Sequence, residues 1–125
     1  MRILIAMTTM LISIGANAAS LPCSIHPEKG LSDAALAALA KVTQADAQST
    51  ALKAVSSKNA SVASGELEAE GGCLIYSFDI KMPGKTSIIE VTVDAGTGKV
   101  LSQKREGPKT QAAEAAADQA AAAKK

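Results

Sequence analysis

SVASGELEAEGGCLIYSFDIKMPGKTSIIEVTVDAGTGKVLSQKR, residues Ser61 to Arg105, decides the fold of this chain. Gly71-Gly72 is a two-residue hairpin signal between the alternating runs Ser61–Glu70 and Cys73–Lys81. Met82-Pro83-Gly84-Lys85 turns the chain into Thr86–Asp94, and Ala95-Gly96-Thr97-Gly98 turns it into Lys99–Arg105. Pairing across the first turn sets Ala69 opposite Leu74, Leu67 opposite Tyr76, Gly65 opposite Phe78 and Ala63 opposite Ile80. The second turn sets Leu74 opposite Val93, Tyr76 opposite Val91 and Phe78 opposite Ile89. The third sets Val93 opposite Val100. All these residues share one face, as a sheet with one buried side requires. Gly65 leaves room for the ring of Phe78, a small residue against a large one.

The other face carries Glu66, Glu68, Glu70, Cys73, Ile75, Ser77, Asp79, Ile88, Glu90, Thr92 and Leu101, and is mostly polar. Glu68, Ile75, Thr92 and Leu101 are expected to form one row across four strands, which makes Ile75, Thr92 and Leu101 a candidate outer-face patch. The three alternating glutamates read as a charged strand edge that discourages intermolecular pairing. Gly96 and Gly98 are expected to supply positive φ angles in the last turn, with Asp94 and Thr97 bonding to its backbone.

Two helices precede the strands. Ser32 is an N-cap candidate with Asp33 in the first turn, and Leu36, Leu39 and Val42 make an apolar stripe over Asp33 to Lys41. Thr43-Gln44-Ala45-Asp46 resembles a capping box with Asp for Glu, opening a helix over Gln44 to Val55. Its inward stripe, Ala47, Ala51, Leu52 and Val55, is small enough for close approach to a sheet. One or two helices on one face of a four-stranded antiparallel meander is an α+β architecture.

Residues 1–18 read as a signal peptide: Arg2, an apolar run from Ile3 to Ile14, then Ala16-Asn17-Ala18, with cleavage expected between Ala18 and Ala19. The run is too short for a stable membrane anchor, and Leu21-Pro22 before Cys23 argues against lipidation. Residues 19–30, with Pro22, Pro27 and Gly30, are expected to be extended. The chain is then periplasmic or secreted. Without Arg2 the basic and acidic side chains balance at twelve each, so no charge excess points to nucleic acid or an anionic surface.

One Tyr, one Phe and no Trp allow only a modest core. Cys23 and Cys73, the two cysteines, are expected to form a disulfide in an oxidising compartment. Closing about 50 residues is worth about 4 kcal/mol in the chain-entropy model. We expect it to hold the N-terminal segment, with Leu21 and Ile25, across the outer face. The C-x-x-H spacing of Cys23 and His26 also suggests metal or redox chemistry, but with Cys73 it still leaves a tetrahedral site one ligand short. No metal and no cofactor are expected.

No catalytic set is apparent. His26 is the one histidine and lies beside Pro27, without a nucleophile placed by spacing. Gly96-Thr97-Gly98 lies between strands, where it is turn chemistry and not a phosphate loop. After Pro108, residues 110–125 are rich in alanine and hold no Leu, Ile, Val or Phe. This tail, residues 108–125, is expected to be flexible or marginally helical.

The alanine-rich helix around Ala47-Ala51-Leu52, then Gly65-Glu66-Leu67-Glu68, Tyr76-Ser77-Phe78-Asp79-Ile80 and Ile89 through Leu101, resembles a PepSY domain. The most specific element is the V-D-x-x-T-G-x-V ending, carried by Val93, Asp94, Thr97, Gly98 and Val100. The resemblance spans about Thr43 to Arg105 and places a PepSY-like domain over residues 31–107. It implies an exported, non-enzymatic module that binds and restrains a peptidase or another envelope protein, with no catalytic residues to carry over. The cysteine pair and the alanine-rich tail depart from the basic pattern. A module sensing a small ligand in a pocket between helix and sheet, with Tyr76 as its polar handle, is the alternative.

Overall fold

The computed structural model describes residues 22–122, so the signal segment, its Ala18/Ala19 cleavage point and Leu21 lie outside the described residues. The element order is α1 (Asp33–Leu39), α2 (Gln44–Ala54), β1 (Ser61–Glu70), β2 (Cys73–Lys81), β3 (Ile88–Asp94), β4 (Val100–Glu106) and α3 (Pro108–Ala122). The four strands pair in sequence order as an antiparallel meander, and α1 and α2 pack on one face. The fold is α+β, as expected.

Both helices start where side-chain oxygens satisfy otherwise unpaired amides. Ser32 Oγ accepts from Ala35 N at 3.2 Å, and Thr43 Oγ1 from Asp46 N at 3.1 Å. α1 is shorter than the apolar stripe implied. Ala40 is already extended, and Lys41 N and Val42 N both donate to Ala95 O, at 2.9 and 3.0 Å. Leu39 is therefore exposed while Leu36 is buried, and Val42 reaches the core from outside any helix. In α2, Ala47 and Ala51 are fully buried against Leu74, Phe78, Ile80, Val91 and Val93.

The first hairpin pairs Ala69 with Leu74, Leu67 with Tyr76 and Gly65 with Phe78. Gly71 and Gly72 both have positive φ, 57° and 81°, as a mirror-image hairpin turn needs. A Cβ on Gly65 would lie 2.6 Å from Phe78 Cδ1, so the glycine is required by the ring beneath it. Four expected pairings are corrected: Ala63 with Ile80, Leu74 with Val93, Tyr76 with Val91 and Phe78 with Ile89. A bulge between Val62 and Ser64 gives Ile80 to Val62 instead of Ala63, which turns the larger apolar side chain toward the core. The β2–β3 pairing is displaced by two residues, with Tyr76 opposite Val93, Phe78 opposite Val91 and Ile80 opposite Ile89. Thr86 and Ser87 remain in the connecting loop and Ile88 pairs with Lys81. A slip of two keeps every side chain on its own face, so alternation alone could not detect it.

In β4, Val93 does pair with Val100, but an irregularity follows and Thr92 pairs with Ser102. Leu101 falls at that irregularity, so the row Glu68–Ile75–Thr92–Leu101 does not form. Ile75 stands between Glu68 and Asp94, and Thr92 between Ser77 and Ser102. Beyond this point Gln103 turns to the helix side, where its Nε2 donates to Ala54 O at 3.3 Å.

Candidate functional site

The chemically distinctive region lies at the end of the sheet where β2 begins and β3 ends. Cys23 and Cys73 form a disulfide with a Cα separation of 5.8 Å. Leu74 N donates to Ile25 O at 2.9 Å, and Ala95 N to Leu74 O at 3.2 Å. The segment Cys23–Ile25 thus crosses the end of the sheet. Ile25 packs against the helix-side core, which corrects the expectation that it would lie on the outer face.

Asp94 ties this segment to the β3–β4 turn. Its Oδ1 accepts from Ser24 N at 2.8 Å; its Oδ2 accepts from Ser24 Oγ at 2.6 Å, Gly96 N at 3.1 Å, Thr97 N at 2.7 Å and Thr97 Oγ1 at 2.8 Å. The carboxylate is 1% exposed. Burial alone would raise its pKa, but the bonds from Ser24 and Thr97 outweigh that and lower it to about 2. Gly98 takes a positive φ of 74°, as expected. Gly96 does not; it is needed because Ser24 and Ile25 lie where its side chain would project. Ser24 is the participant that sequence reasoning missed. It follows Cys23, and the corrected register sets Asp94 opposite Ile75, two residues from Cys73.

His26 completes the cluster. Its Nδ1 is 3.0 Å from Gly72 O and 3.6 Å from Cys23 Sγ, and its Nε2 is 4.0 Å from the same sulfur. Cys23 is buried, Cys73 half-buried and His26 exposed.

The outer face of the sheet is acidic. A cleft of about 300 Å³ is lined by Glu66, Glu68, Glu70, Asp79, Glu90 and Asp118 of α3, with Ser64 and Ser77 between them. Burial, then Glu70, Glu66, Asp118 and Asp79, push the Glu68 carboxyl above its ordinary range. Of the patch Ile75, Thr92 and Leu101, the first two are buried. Tyr76 donates its hydroxyl to Val42 O at 2.8 Å from within the packed layer. A second cleft, about 440 Å³, lies between Pro27–Leu31 and the Gly71-Gly72 hairpin. Tyr76 lines neither of these two clefts.

Two helices on a four-stranded meander, closed by a V-D-x-x-T-G-x-V turn, make up a small α+β module. A family model described as "Peptidase propeptide and YPEB domain" matches residues 41–104, and the chain belongs to this PepSY family. No curated protein and no solved structure gives a significant match. Among the described residues no helix is long and apolar enough to cross a membrane, and the disulfide suits an extracytoplasmic compartment.

Proposed function

We propose that this protein is a periplasmic or secreted, non-enzymatic PepSY module that binds and restrains a peptidase or another envelope protein. The observation carrying this reading is the match to a propeptide-associated family over residues 41–104, which take in α2, β1 to β3 and most of β4. PepSY domains are generally non-catalytic. Strand addition supplies a route to a partner, because the sheet order leaves β1 and β4 as edges. Glu66, Glu68 and Glu70 load the face beside the β1 edge with negative charge. β4 carries Lys104 and Arg105 and exposes Ser102 through Arg105, which suits an extended segment of a partner.

The test is inhibition and capture of peptidases from the protein's own envelope fraction, with Ser102→Pro and Gln103→Pro as edge variants. Consecutive residues of a strand direct their N–H groups to opposite sides, so one of the two prolines removes an outward donor and spares the internal ladder. The variant that retains the wild-type unfolding midpoint should lose at least about tenfold in capture and inhibition, in line with the 1.4 kcal/mol that a tenfold loss represents. If the wild-type chain inhibits no envelope peptidase and captures no other envelope protein, the reading fails.

A further inference from the structure

The open edge of β1 is flanked by a cleft on each face of the sheet. Leu74 donates its N–H to Ile25 O and accepts at its carbonyl from Ala95 N, so neither group faces its cross-strand partner Ala69. In such a pair of an antiparallel ladder, both residues direct their backbone groups away from each other. The N–H and C=O of Ala69 therefore point out of the sheet edge, and those of Leu67, two residues back, do the same. Gly65 follows the same parity, because its carbonyl accepts from Gln44 Nε2 of α2 at 3.1 Å. Gln44 closes the edge there; at Leu67 and Ala69 no described residue bonds the outward backbone. On the helix side, Ala69 lines the cleft of about 440 Å³ with Pro27, Leu31 and Leu36, and the charges of Glu28 and Lys29 beside them offset each other. On the outer side, Glu66, Glu68 and Glu70 line the acidic cleft. Glu70 and Glu66 both add to the upward push on the Glu68 carboxyl, a crowding that an incoming cation relieves.

We propose that this edge binds an extended segment of a partner protein that carries an apolar residue between two basic ones. The segment adds as a further strand beside Leu67–Ala69 and takes their outward N–H and C=O groups as its backbone partners. Successive side chains of a strand point to opposite faces. The residue beside Ala69 thus enters the apolar cleft, while its two neighbours lie on the outer face beside Glu68 and Glu70. Lysine or arginine there meets opposite charge directly across the strands. The same carboxylates repel an acidic segment and the β1 edge of a second copy, which gives the edge its selectivity. This surface differs from the β4 edge in place and in charge. It is a second docking site and goes beyond the β4 route.

The experiment measures fluorescence anisotropy of a labelled peptide, Thr-Lys-Leu-Lys-Leu-Lys-Thr, with the full chain at low ionic strength. Thr-Lys-Lys-Lys-Leu-Leu-Thr keeps the composition without the alternation, and Thr-Glu-Leu-Glu-Leu-Glu-Thr reverses the charge. The alternating peptide should bind with a Kd at or below about 100 μM, and both controls at least about tenfold more weakly. Glu68→Gln with Glu70→Gln should weaken binding at least about tenfold and flatten its salt dependence. Ala69→Gln, at an exposed position, should weaken it to a similar extent by filling the cleft. The amides of Leu67 and Ala69 should exchange with solvent more slowly in the complex. Whichever of Ser102→Pro and Gln103→Pro keeps its fold should bind the peptide as the wild-type chain does, so failure at β4 and failure at β1 are read separately. Equal binding of the grouped control, an unchanged Kd in Ala69→Gln or in the double glutamine variant, or unprotected Leu67 and Ala69 amides would each overturn the proposal. Protection of those amides in the free chain, together with a dimer in sedimentation, would overturn it too, because a second copy would then hold the edge.

Discussion

Asp94 shows how one side chain can belong to a turn and to a long-range tether at once. Its position before Ala95-Gly96-Thr97-Gly98 made a turn role legible, because aspartate bonds the amides two and three residues on. The bonds to Ser24, 70 residues away, were not legible. They depend on a disulfide and a strand register that place Ser24 over Gly96. Asp94→Asn should cost about 1–3 kcal/mol at pH 7, since it weakens several charge-assisted bonds to a buried group. The sign with pH follows from the lowered pKa. The carboxylate's contribution is complete above its ordinary value of 3.8 and is lost as the pH falls through about 2. Urea unfolding between pH 5 and 2 should therefore show a flatter stability profile for the variant than for the wild-type chain. Parallel profiles would remove Asp94 from this role.

At the level of elements, β1 and α3 meet in an unfavourable charge arrangement. Glu66, Glu68 and Glu70 alternate on one side of β1, and Asp118 of α3 lines the same cleft. The raised pKa of Glu68 means the folded chain holds that proton more tightly than the unfolded chain. Stability is thus lost as the pH rises past the ordinary value of 4.5. Glu68→Gln should stabilise the fold at pH 7 by a few tenths of a kcal/mol, a small effect because the side chain is half-exposed and screened. The gain should shrink at pH 4 and in high salt, and thermal unfolding at two pH values reads it. A loss of stability at pH 7 would mean that Glu68 makes a favourable contact there. The alternation of β1 made its acidic face readable. The arrival of α3 was not readable, because Pro108–Ala122 has no apolar stripe to predict a docking side.

For the molecule as a whole, the disulfide closes a separation of 50 residues between the N-terminal segment and β2. Replacing both cysteines, Cys23→Ser with Cys73→Ser, should lower stability by up to about 4 kcal/mol. The effect should be local as well as global. The amide of Leu74, bonded to Ile25 O, should exchange with solvent much faster, while Phe78 and Val91 in the sheet centre keep their relative protection. Unchanged stability together with an unchanged Leu74 amide would show that Asp94 alone holds the segment.

The sequence by itself determined the two capped helices, the four strands, the side of each central strand that is buried, and the cysteine pair, because caps, alternation and turn residues act over a few neighbours. It also carried the family, through the residues around Asp94. Tertiary structure alone decided the two-residue displacement of β3, the bulge that turns Val62 inward, and the irregularity that takes Leu101 out of the outer row. It alone placed Ser24 on Asp94 and His26 beside the disulfide. The physical reason is common to these cases. Displacements that preserve parity leave the hydrophobic pattern unchanged, and contacts between distant segments depend on where the whole chain closes.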